Sequence, residues 1–144
     1  MKQEFSWTGK PADAGWVLPE GLQQLIAAGD GDTVIEIIDM FRGDTAIRIE
    51  RLRRAVERFD RGEIHAQAHA IKGGSMQVGV NGMAMICRQI EGLAQDASPG
   101  AIADLTARLI AEFQAISRVI EEDAGGIGGP ECRIRYEAQP ENRR

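Results

Sequence analysis

The chain is poor in the side chains that usually announce chemistry: of 144 residues, two are cysteine and two are histidine, and aromatics make up 5%. Cys87 and Cys132 are too few for a disulfide framework, one falling in a helix-period segment and the other in a polar one. Cys87 therefore reads as a packing residue rather than a redox centre. No apolar run approaches the roughly 20 residues of a membrane span. The opening Met1-Lys2-Gln3-Glu4-Phe5-Ser6-Trp7 also lacks the apolar core of a secretory signal, so a cytoplasmic location and no membrane partner are expected. Positive charge is short as well. A formal net charge of −5 argues against general nucleic-acid binding, with arginine gathered only between Arg48 and Arg61. No glycine-rich phosphate loop of P-loop or Rossmann spacing occurs, so nothing in the chain is built to take phosphate from ATP.

What the sequence does have is helical periodicity. A hydrophobic fraction of 43% and 27% charged residues suit one soluble domain. Residues 1–19 show no sustained period and read as an irregular extension carrying Trp7 and Trp16. Pro19-Glu20-Gly21-Leu22 opens a short accessory helix that Gly29 ends. Asp30 or Asp32 then caps a segment whose apolar positions are Val34, Ile38, Phe41, Thr45, Ile49, Leu52, Val56 and Phe59, in the steps of three and four that define a helix seam. Gly43 interrupts that seam at a cost of about 1 kcal/mol, and one long helix over residues 31–59 is still the expectation.

Asp60-Arg61-Gly62 reads as a turn, followed by a helix with Ile64, Ala68, Ile71, Ser75 and Val78 inward. Gly79-Val80-Asn81-Gly82 closes it, with Asn81 capping a helix whose inner face is Met83, Ile86, Ile90 and Leu93. Ser98-Pro99 starts the last helix, which carries Ile102, Leu105, Leu109, Phe113, Ile116 and Ile120. Residues 123–144 form a glycine-rich linker and a polar tail. Residues 20–122 are thus expected to fold as an all-α, antiparallel up-down four-helix bundle with a short accessory N-terminal helix.

On the third of these helices His65, His69, Lys72 and Met76 form a stripe displaced from the buried one by about 100°, which places His69 at the edge of the core with its ring toward solvent. A neutral imidazole is a good phosphoryl acceptor near pH 7. An ammonium three residues on, at Lys72, favours the dianionic product. Gly73 sits four residues beyond His69 and removes the side chain that would obstruct an approaching partner. Gly74 beside it adds a second helix penalty, which packing against Ile90 or Glu91 could also explain. Because residues equally far from the turn face each other in an antiparallel hairpin, His69 should lie opposite Glu91 or Gly92. A carboxylate there could take the Nδ1 proton and leave Nε2 to attack. The same count across the earlier turn sets His69 level with Leu52, so Arg48, Arg51 or Arg53 could flank it. His65 and His69 also have the spacing of a metal-binding pair, but Ala66 stands where a zinc protease needs glutamate and no third histidine exists, so no metal is expected.

The run His69-x-Ile71-Lys72-Gly73-Gly74-x-x-x-x-Gly79-Val80 resembles the signature of histidine-containing phosphotransfer domains, roughly His-x-Leu-Lys-Gly-Ser-x-x-x-x-Gly-Ala. The resemblance extends through Gly29-Asp30, Phe41, Met83, Cys87 and Glu91, over about residues 20–120. It departs at Ile71, Gly74 and Val80, all mildly. The resemblance implies a phosphocarrier without kinase activity, taking a phosphoryl group on His69 from one receiver-domain aspartate and passing it to another. It implies partners among response-regulator receiver domains and hybrid sensor histidine kinases, no cofactor of its own, and Mg²⁺ on the receiver. It also implies a place for Glu91 near the phosphohistidine, while His65, Met76, Arg48 and Arg51 are candidates for docking. The competing reading is a helical adaptor that binds a receiver or kinase without phosphoryl transfer.

Overall fold

The computed structural model describes residues 17–95 and 98–123, so Trp7, Trp16, Cys132 and the segments expected as extension and tail lie wholly or mostly outside the described residues. Five helices account for nearly all of what is described: α1 Glu20–Ala27, α2 Gly31–Arg58, α3 Arg61–Val78, α4 Asn81–Leu93 and α5 Pro99–Asp123. α2 packs on α3, α3 on α4, α4 on α5 and α5 back on α2, while α1 leans on α2. Two long-range contacts fix the sense of α2 against α3. Arg48 reaches Gln67 at 3.5 Å, and Phe41, earlier in α2, lies beside Gly74, later in α3. For α3 and α4, Arg61 at the start of one donates to the Ala94 carbonyl beyond the end of the other at 3.0 Å. Both pairs therefore run in opposite directions.

The apolar seam of α2 is buried as its period requires: Val34, Ile38, Phe41, Thr45, Ile49 and Leu52 are all inside, with Val56 and Phe59 half-buried. Gly43 has open space around it and causes no break, α2 continuing through it as one helix. Burial of the seam on both sides of that glycine is worth about 1.5–3 kcal/mol per large aliphatic side chain, which outweighs the helix penalty of one glycine. No helix among the described residues is long and apolar enough to cross a membrane.

The turns are tighter than the sequence suggests. Phe59, in the left-handed region at φ 52°, ends α2, and Asp60 caps α3 by accepting from the Glu63 N–H at 3.2 Å. Arg61 and Gly62 thus belong to the helix rather than the turn. Pro19 likewise precedes the first turn of α1 as its N-cap. Asp30 is the N-cap of α2, although its carboxylate accepts from the Thr33 hydroxyl at 2.8 Å rather than from a backbone N–H.

At the end of α3, Gly79 has φ 84° and the Val80 N–H returns to the Ser75 carbonyl at 2.9 Å, a Schellman-type ending. A Cβ on Gly79 would stand 2.0 Å from the Val17 carbonyl oxygen, and Val17 donates its N–H to the Gly79 carbonyl at 3.2 Å. Glycine is required there twice over, by conformation and by the Val17 backbone laid against it. The same contact displaces the expected Asn81 cap. Val80, fully buried, is the N-cap and Asn81 is already helical, so burial of an apolar side chain decides the boundary over capping preference.

Candidate functional site

The inward stripe of α3, Ile64, Ala68, Ile71, Ser75 and Val78, is fully or almost fully buried and fixes how the helix is rotated. That rotation leaves the neighbouring stripe outside. His69 has a 67% exposed side chain, while Lys72 and Glu91, at 21% and 11%, lie in the seam between α3 and α4 beneath it. The three residues meet. His69 Nδ1 is 2.6 Å from Glu91 Oε2, and Lys72 Nζ is 2.6 Å from Glu91 Oε1, so one carboxylate bridges both.

Burial pushes the Glu91 carboxyl upward, but the hydrogen bonds from Lys72 and His69 and the charges of both outweigh it, and the group is held below its ordinary value. An ionised carboxylate only accepts hydrogen bonds. The His69 nitrogen facing it is therefore the one that carries hydrogen, and in a neutral ring this leaves the lone pair on Nε2.

A Cβ added to Gly73 would meet nothing within 4 Å among the described residues, whose packing therefore does not explain this glycine. A Cβ on Gly74 would touch the Phe41 ring at 3.7 Å, an ordinary contact. Gly74 thus faces α2, and the alternative of packing against Ile90 or Glu91 does not hold. Cys87 is fully buried close to this seam, and desolvation together with the Glu91 charge raises its thiol to about 12, opposed in part by Lys72. Such a thiol stays protonated and inert.

Arg48 is bound to Asp44 at 2.9 Å and reaches Gln67, Arg53 is clamped by Glu50 and Glu57 at 2.7 Å each, and Arg51 is exposed on α2. None of the described bonds of Arg48 or Arg53 reaches His69. The Arg48–Gln67 and Phe41–Gly74 contacts set His69 level with Ala46 rather than Leu52, and both give the same offset, so α2 and α3 keep one register that is displaced at the Phe59-Asp60 turn. Met83 is fully buried, whereas Met76, for which a core position is the default for a helical methionine, is 52% exposed on the His69 stripe. The ring of His65, also exposed, lies parallel to that of His69, with centroids 6.1 Å apart and planes 7° apart. Among the described residues no group of three or more histidine, cysteine, aspartate and glutamate side chains could hold a metal ion.

An exposed imidazole on α3 thus shares one partly buried carboxylate with an ammonium, an arrangement chemically able to accept a phosphoryl group. The family model of the Hpt domain matches residues 36–119, more than half of the chain and all of the site. The chain belongs to the Hpt domain family, histidine phosphotransfer proteins of phosphorelays, which are phosphocarriers rather than kinases. Among solved structures it is similar to histidine-containing phosphotransfer protein B (HptB) from Pseudomonas aeruginosa PAO1, with a TM-score of 0.66 and 21% identity over 75% of this chain and 94% of that one, a likeness of fold. The search of curated proteins found no match.

Proposed function

We propose that His69 is the phosphoacceptor of this chain, presented on an antiparallel up-down four-helix bundle to the receiver domains of a cytoplasmic phosphorelay. The observation that carries the reading is the Glu91 bridge, which binds His69 Nδ1 and Lys72 Nζ at once. Nε2 attacks the phosphorus of an aspartyl phosphate; the N–P bond forms as the P–O bond breaks, and the aspartate leaves with that electron pair. The Nδ1–H remains on the ring, whose new positive charge the Glu91 carboxylate balances. Lys72 lies close enough to share its ammonium between Glu91 and the incoming dianion. Transfer to a second receiver reverses each step. Catalysis on this side is positioning and charge compensation, and Mg²⁺ bound by the receiver supplies the remaining neutralisation of the moving group.

The open space at Gly73 gives a receiver's active-site loop room beside Nε2. His65 and Met76 extend the contact along α3, and Arg48 and Arg51 supply docking charge from α2. The sensor kinase of the same relay, a hybrid one included, is the source of phosphate further upstream.

The experiment is incubation with receiver domains charged by acetyl phosphate. His69→Gln keeps the helical circular dichroism of the parent and loses all acid-labile label. Undiminished acid-labile label on that variant removes His69 from the role. Binding of charged receivers by the wild-type protein without any label would make it an adaptor instead.

A further inference from the structure

His65 has no part in the bridge described above, yet it shares the outer stripe of α3 with His69 one turn away, and its ring lies parallel to that of His69 at 6.1 Å between centroids. It also lines a cleft of about 360 Å³ with Arg61, Gly62, Ala94 and Gln95, which keeps the ring in contact with water. Arg61 and His69 face it from α3, and Glu91 lies beyond His69. Arg61 is turned onto the Ala94 carbonyl, and among the described residues the segment just past α4 contributes the uncharged Ala94 and Gln95 to the cleft. A group at that position is exposed to whatever charge His69 carries.

We infer that His65 is a positioning residue for phosphoryl transfer, which as an imidazolium attracts the phosphoryl group on His69 from the N-terminal side of α3 while Lys72 attends it from the other. The inference rests on His69 being the phosphoacceptor and adds a pH dependence to it. Imidazole changes charge between about pH 5 and 8. The ring separation of 6.1 Å is shorter than the Debye length of about 8 Å at physiological salt, so a dianion on one ring acts on the other without full screening. By reciprocity of coupled binding, a phosphoryl group that favours the proton on His65 is favoured by that proton to the same degree. The covalent step is unchanged, since His65 neither gives nor takes a proton in it.

The test measures the equilibrium of phosphoryl transfer between this protein and a receiver that labels it, across about pH 6 to 8, for the wild type and three variants. His65→Gln removes the titrating group. The wild-type equilibrium constant divided by that of His65→Gln is expected to rise about three- to tenfold as pH falls through this range, and the receiver's own titrations cancel in the ratio. His65→Lys should show the gain at both ends of the range, its charge being fixed. His65→Phe keeps an aromatic face without a proton and should follow His65→Gln. A ratio that stays flat, or a phenylalanine variant that reproduces the wild-type profile, overturns the inference while leaving His69 in place. A wild-type protein that no charged receiver labels overturns both.

Discussion

Two glutamates sit in the body of the molecule under opposite conditions. Glu91, in the seam between α3 and α4, is held below its ordinary value because Lys72 and His69 together outweigh burial. Glu112, on α5 and 9% exposed, is raised to about 7 because desolvation dominates and Arg108 offsets it only in part. Burial alone therefore does not make a site. The seam residue is kept ionised by two partners, and under the proposed function that fixed charge would orient the imidazole and balance the charge it acquires. The α5 residue has no such pair of cationic partners among its described interactions, and its cost falls on the stability of the fold.

Removing the Glu91 carboxylate is the most damaging way to disturb this contrast short of removing His69. Glu91→Ala frees the His69 ring to rotate and to exchange its hydrogen between nitrogens, and the expected loss in transfer rate is about a hundredfold. Glu91→Gln retains an oxygen that accepts the Nδ1–H but no charge, so its loss should be smaller, about tenfold. Equal rates for wild type and Glu91→Ala in single-turnover transfer would show that the bridge does not orient the nucleophile. Lys72→Ala leaves orientation intact and removes only the ammonium 2.6 Å from Glu91. Transfer should slow about three- to tenfold, with receiver binding nearly retained. An unchanged rate and equilibrium would take Lys72 out of the chemistry.

Much of this seam was legible before any coordinates, for a physical reason. A period of 3.6 residues fixes both which α3 positions are buried and which lie about 100° away, so the exposure of His69 follows once Ile64, Ala68 and Ile71 are recognised as core. Equal distance from the Gly79-Val80 turn brought Glu91 opposite His69, because Gly79 closes that turn tightly and α3 and α4 stay in register over the short span. The same arithmetic misplaced the register of α2 against α3: the Arg48–Gln67 and Phe41–Gly74 contacts share one offset, so the displacement enters at the Phe59-Asp60 turn, where a left-handed Phe59 redirects the chain. Salt bridges within α2 take up Arg48 and Arg53, and such local pairing is decided by rotamers that periodicity does not specify. Glu112 went unnoticed for a related cause: it falls between the apolar positions Leu109 and Phe113, and a charged residue at the border of a helix stripe is read as solvated unless the neighbouring helices are known to cover it.

Glu112 therefore supplies the mildest test of the contrast, one that leaves transfer alone and acts on stability. Its folded value of about 7 lies above the ordinary carboxyl value of 4.5, so the native state binds the proton more tightly than the unfolded chain does. The stabilisation linked to that proton is fully present below about pH 4.5 and is lost progressively as pH rises through about 7. In urea titrations between about pH 5 and 8, the wild-type unfolding free energy should carry a downward component of about 1–3 kcal/mol. Glu112→Gln, neutral throughout, should lack that component and be the more stable protein at the alkaline end, with label on His69 unchanged. Parallel stability curves for the two proteins would mean that Glu112 reaches water or a cation in solution, and that burial does not separate it from Glu91.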